Sequence, residues 1–165
     1  SNHLFGGIDV FYNKECYKLP KEERNKQYID VMATMCEQCS NFDIVAHYDY
    51  INRYNPNINE TISYDDCTNE FDRLFNAIIT KNKSLEINTR SILSRINNGA
   101  EIVMPDENII KRYIELGGVN FTLGSDSHAP ETIAVLFKET ANYLKSLGIK
   151  RLCYFKNRVP TYYDI

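Results

Sequence analysis

Helix-like and strand-like segments alternate along the chain, and this order restricts the fold more than any other feature. Four amphipathic helical patterns are each followed, after a short connection, by a short apolar run typical of a buried strand. Strands that alternate with helices in this way form parallel sheets with right-handed crossovers. The sequence therefore predicts an α/β fold, either a β/α barrel or an open, doubly wound sheet.

The limits of these segments follow from periodicity and from helix-ending residues. In the first helix Tyr28, Val31, Met32 and Met35 are predicted to share one face, and the third helix is closed by Gly117-Gly118. The predicted helices cover 20–40, 65–81, 105–116 and 131–147, and the predicted strands cover 42–46, 84–88, 119–124 and 151–155.

The length of the chain bears on how much of a barrel it contains. An eight-unit barrel takes about 250 residues, whereas this chain has 165. We expect it to begin in the middle of a fold, because Ser1-Asn2-His3 stands where an earlier strand should be. A complete, smaller protein also satisfies the pattern.

Composition excludes several classes of function. The net charge is −3, the pI is near 5.6, and the basic residues form no long stripe, so a nucleic-acid surface is not indicated. No apolar run approaches the ~20 residues that cross a bilayer. We expect a cytoplasmic protein without a membrane or nucleic-acid partner.

The five cysteines are odd in number and widely spaced, which argues against a disulfide framework. Cys36 and Cys39 form a Cys-x-x-Cys pair near the end of a helical pattern. There is no second pair or adjacent histidine to complete a zinc site. Both cysteines are therefore predicted to be structural.

All three histidines occur where a strand-like run gives way to a loop. Residues 42–46 lead directly into His47, and residues 119–125 lead into Asp126-Ser127-His128. The C-terminal ends of parallel strands converge at one mouth of a barrel. Imidazole and carboxylate ligands together suit zinc, manganese or iron. The pattern therefore predicts a metallohydrolase.

Four segments then make a resemblance specific. They are SNHLF with GID at 1–9, AHYD with RY at 46–54, LEINT at 85–89 and GSDSH at 124–128. In this order they resemble the C-terminal part of the PHP (polymerase and histidinol phosphatase) family, in its histidinol-phosphatase branch. The resemblance spans essentially the whole chain, and the last segment is the most diagnostic.

The resemblance implies a fold and a ligand set. The family fold is a distorted, seven-stranded, TIM-like β/α barrel with up to three metal ions at the C-terminal ends of its strands. By resemblance, His3, His47, Asp126 and His128 match metal ligands. The remaining family ligands come from an earlier His-x-His segment, further histidines and a glutamate, which have no counterpart here. Residues 1–165 are thus expected to be the C-terminal portion of a single metallohydrolase domain.

The resemblance also implies a reaction, the hydrolysis of L-histidinol phosphate to L-histidinol and phosphate in histidine biosynthesis. Zinc, manganese or iron is the expected cofactor. Asp126 is a candidate for binding a metal ion and positioning the attacking water. His128 is a candidate either for binding metal or for protonating the leaving alkoxide.

Further candidates lie near the end of the second predicted strand. Arg95 and Arg90 are candidates for binding the phosphate through a guanidinium fork, with Arg95 ranked first by similarity to a basic residue of that loop in the family. Solvated loop arginines are the alternative. Asn88 is a candidate for contacting substrate. Glu86 is assigned no ligand role, since it can as easily orient a histidine, and Asp49 is predicted to be structural.

Two other interpretations remain open on the sequence alone. One is a different PHP phosphoesterase that acts on nucleotides, phosphopeptides or other small phosphate esters. The other is a metal-binding fragment without a complete catalytic site. A partial barrel leaves sheet edges and apolar surface open, so a homo-oligomer or a complementing N-terminal segment is expected.

Overall fold

The structure, a computed structural model, describes residues 1–101 and 103–165. The helices in this part of the chain are α1 (Lys21–Gln38), α2 (Thr68–Thr80), α3 (Thr89–Asn97), α4 (Glu107–Glu115) and α5 (Phe137–Ser146). The strands are β1 (Leu4–Phe5), β2 (Ile8–Asp9), β3 (Ile44–Val45), β4 (Ser84–Asn88), β5 (Phe121–Gly124), β6 (Arg151–Lys156) and β7 (Val159–Asp164). None of the helices in the described residues is long and apolar enough to span a membrane.

A parallel sheet of three strands lies at the centre, in the order β3-β4-β5. Ile44 pairs with Ser84, and Leu85 pairs with Phe121. The side chains of Leu85 and Ile87 in β4 are fully buried, as expected of a central parallel strand that is covered on both faces. The predicted mixed α/β fold with parallel strands is therefore confirmed.

Helices α1 and α2 pack against each other, and α2 contacts β4 of this sheet. Tyr28, Ile29 and Met32 from α1 and Phe71 and Phe75 from α2 are buried. Burying each such side chain stabilises the fold by about 1.5–3 kcal/mol. The predicted apolar face of the first helix was too wide, because Val31 and Met35 are 45% and 44% exposed.

Besides the short hairpin of β1 and β2, which the sequence did not predict, three segments differ from the prediction. Residues 89–97, predicted as a loop, form α3, because the Asn88 side chain accepts hydrogen bonds from the backbone N–H groups of Arg90 and Ser91 and caps the helix. The last helix begins at Phe137 and not at 131, since Pro130–Thr132 form one 3₁₀ turn and Leu136 has a positive φ of 60°.

The third difference concerns the C-terminal end of the chain. The predicted last strand, β6, pairs antiparallel with β7, which was expected to be a polar tail. β7 contains Pro160, which lacks a backbone N–H and therefore favours an edge position.

The cysteines are unpaired. Burial raises the pKa of the Cys36 thiol to about 11, so the reactive thiolate form is disfavoured at neutral pH. Cys39, the other member of the Cys-x-x-Cys pair, is the exposed C-cap of α1. These observations agree with the predicted structural role of the pair.

One ion pair between α2 and α4 makes the stability depend on pH. Arg112 donates from Nε to Asp72 Oδ1 at 3.0 Å and from Nη2 to Oδ2 at 2.7 Å. These bonds lower the pKa of Asp72 in the folded protein. The ionised Asp72 side chain therefore stabilises the fold at pH values above its pKa in the unfolded chain, which is about 3.9. This stabilisation is lost as the pH falls through the lower pKa of the folded state.

We expect Asp72→Asn to lower the melting temperature at pH 7 and to lower it progressively less below about pH 4. Thermal unfolding at several pH values, with the exposed Asp164→Asn as the control, measures this dependence. A difference between wild type and Asp72→Asn that stays constant down to about pH 2 would contradict the role of the charge.

Candidate functional site

The candidate site lies at the C-terminal edge of the parallel sheet. His47 follows β3, Asn88 ends β4, and Asp126 follows β5. Because Asn88 pairs in register with Gly124, the ends of these strands lie at one level. The sheet thus brings side chains that are far apart in sequence to a single edge.

His3 and His47 face each other at this edge. Their Nε2 atoms are 3.4 Å apart, at the long end of the distances found for hydrogen bonds. Two nitrogens bound tetrahedrally to one zinc ion, at about 2.0–2.1 Å each, are about 3.3–3.4 Å apart. The separation of the two rings therefore fits a shared metal ion.

The surroundings of His47 keep its ring neutral. Burial, assisted by the positive charge of Arg53, lowers the pKa of His47 to about 4. Its Nδ1 atom is buried and has no hydrogen-bond partner among the described residues. Metal ions bind neutral imidazole, so His47 is in the form that a ligand requires.

The position of His3 is fixed by an aromatic neighbour. Its ring stacks on Tyr50 with a centroid distance of 4.1 Å and an angle of 10° between the planes. Its Nδ1 atom lies 3.8 Å from Asp9 Oδ2. This distance is longer than a hydrogen bond, so the stacking on Tyr50 is the contact that orients the ring.

Asp126 is held by Arg53, which is not among the site residues that the sequence predicts. Arg53 donates from Nη1 to Asp126 Oδ2 at 2.6 Å and from Nη2 to Asn88 Oδ1 at 2.8 Å, and its side chain is only 6% exposed. Partial burial of Asp126 opposes its ionisation, but the hydrogen bond and charge of Arg53 hold its pKa below the ordinary value. The carboxylate is therefore ionised at neutral pH.

Both strand-end residues adopt an unusual backbone conformation. His47 has a φ of 35° and Asp126 has a φ of 44°. A left-handed conformation in a residue other than glycine costs about 1–3 kcal/mol and tends to occur at functional sites. The strain is located at two of the predicted metal ligands.

His128 borders a cavity of about 360 Å³ together with Asp126 and Arg90. The exposed His128 ring places Nδ1 2.9 Å from the carbonyl oxygen of Asp126 and contacts the Arg90 guanidinium. Arg90 also donates to that carbonyl oxygen at 2.8 Å. The side chains of Arg90 and His128 thus face the same space.

Of the four predicted ligands, only His3 and His47 meet through their side chains, whereas His128 contacts Asp126 at its backbone carbonyl oxygen. Within residues 1–101 and 103–165, no three or more histidine, cysteine, aspartate or glutamate side chains are grouped closely enough to hold a metal ion.

The remaining candidates support the site or lie beside it. Glu86 Oε1 accepts hydrogen bonds from the backbone N–H of His47 at 3.2 Å and from Asn88 Nδ2 at 2.9 Å, so it orients the histidine through the backbone. Asn88 is buried. Arg95 lies on α3 and lines a different cavity of about 320 Å³ with Lys14. Substrate contacts by Arg90, Arg95 and Asn88 stay predictions.

The chain is similar along nearly its whole length to curated histidinol-phosphatases. A probable histidinol-phosphatase of Clostridium acetobutylicum is 35% identical over 164 residues, which are 98% of this chain and 61% of that protein. The resemblance to the C-terminal part of the histidinol-phosphatases is confirmed. The Lactococcus lactis histidinol-phosphatase is 26% identical over 156 residues, which are 94% of this chain and 56% of that protein.

The chain therefore spans about 60% of the length of the curated histidinol-phosphatases it matches. No family model matches it.

The fold is also that of a solved histidinol-phosphatase. The crystal structure of histidinol phosphate phosphatase from Lactococcus lactis, complexed with zinc, L-histidinol and phosphate, has a TM-score of 0.72 to this chain. The sequence identity is 24%, and the match covers 96% of this chain and 59% of the other. The two folds agree over nearly all of this chain.

Proposed function

We propose that residues 1–165 are the C-terminal portion of one PHP-type domain, a distorted, seven-stranded β/α barrel that hydrolyses L-histidinol phosphate to L-histidinol and phosphate in histidine biosynthesis. The observation that carries this proposal is the 35% identity along nearly the whole chain to a probable histidinol-phosphatase. The Lactococcus lactis structure, which contains zinc, L-histidinol and phosphate, supports the substrate and the metal. A cytoplasmic location belongs to the same proposal.

His3, His47, Asp126 and His128 are the residues that would hold divalent metal ions in this proposal. The 3.4 Å separation of the two Nε2 atoms and the neutral His47 ring fit zinc, and manganese or iron would suit the same nitrogen and oxygen donors. We propose up to three ions in the intact site. When bound, the ions supply positive charge that polarises the phosphoryl oxygens and the attacking water.

The remaining chemistry is assigned to side chains on the cavity. The ionised Asp126 carboxylate accepts a hydrogen bond from the attacking water and orients it towards phosphorus. Arg90, which faces the cavity beside His128, binds a phosphate oxygen through its guanidinium. Arg95 and Asn88 are further candidates for contacting the substrate. His128 either binds metal or donates a proton to the leaving alkoxide oxygen.

A second candidate is a metal-binding fragment that is not catalytic by itself. Two observations favour this candidate for the isolated chain. The described part of the chain holds no group of three metal-binding side chains, and the chain spans 61% of the length of the Clostridium acetobutylicum relative.

An apolar cavity of about 330 Å³ lies beside β3 and is lined by residues that include Met32, Met35 and Phe42. We propose that a complementing N-terminal segment, or a second copy of the chain, covers this side.

The test is phosphate release by a fusion of this chain to the N-terminal segment of the Clostridium acetobutylicum relative. The fusion, loaded with zinc or manganese, is offered L-histidinol phosphate, a nucleoside monophosphate and a phosphopeptide. We expect L-histidinol phosphate to be hydrolysed at least about tenfold faster than the others, and chelation to abolish the reaction. Faster hydrolysis of another ester would indicate a different PHP phosphoesterase, and no phosphate release would overturn the proposal.

A further inference from the structure

We propose that Ser91 and Asp49 are positioning residues that fix the Arg53 guanidinium and, through it, the Asp126 carboxylate. The catalytic consequence rests on the proposed function, whereas the positioning itself is a property of the fold. Asp49 and Ser91 come from different elements, namely the turn after β3 and helix α3.

The contacts form a continuous chain from Asp49 to Asp126. The Ser91 hydroxyl donates to Asp49 Oδ1 at 3.0 Å and accepts a hydrogen bond from Arg53 Nε at 3.1 Å. Arg53 then donates to Asp126 through Nη1 and to Asn88 through Nη2. Each of the three guanidinium nitrogens thus has its own acceptor, which fixes both the plane and the rotation of the group.

The Ser91 hydroxyl needs Asp49 in order to act in this way. A hydroxyl group has one proton and two lone pairs. If that proton pointed towards Arg53, it would oppose the Nε–H donor. The Asp49 oxygen binds the proton on the other side, so that a lone pair of Ser91 faces Arg53.

Burial makes the arrangement specific. Ser91 is 3% exposed and the Arg53 side chain is 6% exposed, so water has little access to replace a lost acceptor. A buried donor without a partner is costly, and Arg53 would reorient to reduce that cost. Because Nη1 and Nε belong to one rigid plane, a rotation at Nε also moves the group that holds Asp126.

The first test follows the Nε–H proton of Arg53 by nuclear magnetic resonance in the 165-residue chain, with the signal identified by its loss in Arg53→Lys. In Ser91→Ala we expect this proton to exchange with solvent at least about tenfold faster. Ser91→Thr, which keeps a hydroxyl, should largely restore the slow exchange. Asp49→Ala should reproduce the fast exchange, whereas Asp49→Asn, which keeps the acceptor oxygen, should not.

The matched control is Ser84→Ala. Ser84 is also a buried serine with a hydrogen-bonded hydroxyl, but it lies at the opposite end of β4 from Asn88. We expect Ser84→Ala to leave the exchange of the Arg53 proton within about twofold of the wild type. Equal exchange rates in Ser91→Ala and wild type would overturn the positioning role.

The second test is the kcat of the fusion protein on L-histidinol phosphate. We expect Ser91→Ala to lower kcat at least tenfold, Ser91→Thr to restore most of it, and Ser84→Ala to leave it unchanged. Faster proton exchange with an unchanged kcat would overturn the catalytic part of the proposal. If no fusion protein releases phosphate, the proposed function fails, and the exchange measurement still decides whether Ser91 and Asp49 hold Arg53.

Discussion

Asp126→Asn is expected to lower kcat/KM for L-histidinol phosphate in the fusion protein by about 100- to 1000-fold, the range found for removing one electrostatic group from an active site. The substitution keeps the size of the side chain but removes its negative charge. A neutral amide is a weaker metal ligand, and it also leaves the buried Arg53 guanidinium without its anionic partner.

The effect on stability should be smaller than the effect on activity. Asp126 is 28% exposed, and Arg53 keeps its bonds to Asn88 and Ser91, so we expect a loss of about 1–2 kcal/mol. Kinetics measured at a temperature where circular dichroism shows a folded protein separates the two effects. The exposed Asp164→Asn serves as the charge-matched control. An Asp126→Asn enzyme that keeps more than a tenth of wild-type kcat/KM would contradict the assigned role.

Gly124→Ala is expected to cost about 2–4 kcal/mol of stability, from overpacking and broken hydrogen bonds together. A Cβ atom at Gly124 would lie 2.2 Å from Glu86 Oε2 and 2.4 Å from its Cδ atom. Glu86 cannot move without losing its bonds to the His47 backbone N–H and the Asn88 amide. The substitution should therefore disturb the end of β3 as well as β5.

Urea unfolding of a double-mutant cycle tests this mechanism. In a Glu86→Ala background the carboxylate is absent, so Gly124→Ala should cost at least about 1 kcal/mol less than it does in the wild type. Gly99→Ala is the control, because no atom lies within 4 Å of its Cβ position and only the positive φ of 72° adds strain, worth about 1 kcal/mol. If the losses of unfolding free energy from Gly124→Ala and Glu86→Ala simply add, the contact between the new Cβ atom and Glu86 is not the cause of the destabilisation.

The elements that the sequence predicted well are those whose pattern is local. α1, α2 and β4 have apolar periodicity or a continuous apolar run over their own residues, and β4 was predicted with its observed limits. α3 was missed because it follows β4 without a connection and its main signal is the cap supplied by Asn88, the last residue of that strand. β7 was missed because its stability comes from pairing with β6, and Pro160 gives the segment the pattern of a loop.

The site shows the same division between local and distant signals. Histidines at strand ends are visible in the sequence, so the pattern alone predicts His47 and His128 as site residues. The role of Arg53 depends on three acceptors, Ser91, Asn88 and Asp126, which the fold brings to it from α3 and from the ends of β4 and β5. The only sequence signal for Arg53 is that it belongs, with Tyr54, to the second of the four segments that carry the family resemblance.

In the proposed site His3 and His47 share a metal ion at the end of β3, and zinc titration of the 165-residue chain against a competing chelator measures whether they do. We predict one zinc site, with the affinity weakened at least about 10- to 100-fold in His3→Ala and in His47→Ala. Cys39→Ser, which removes the exposed thiol, should leave the affinity unchanged. Zinc binding of equal strength in the wild type and in both histidine variants would show that these two histidines do not hold the ion.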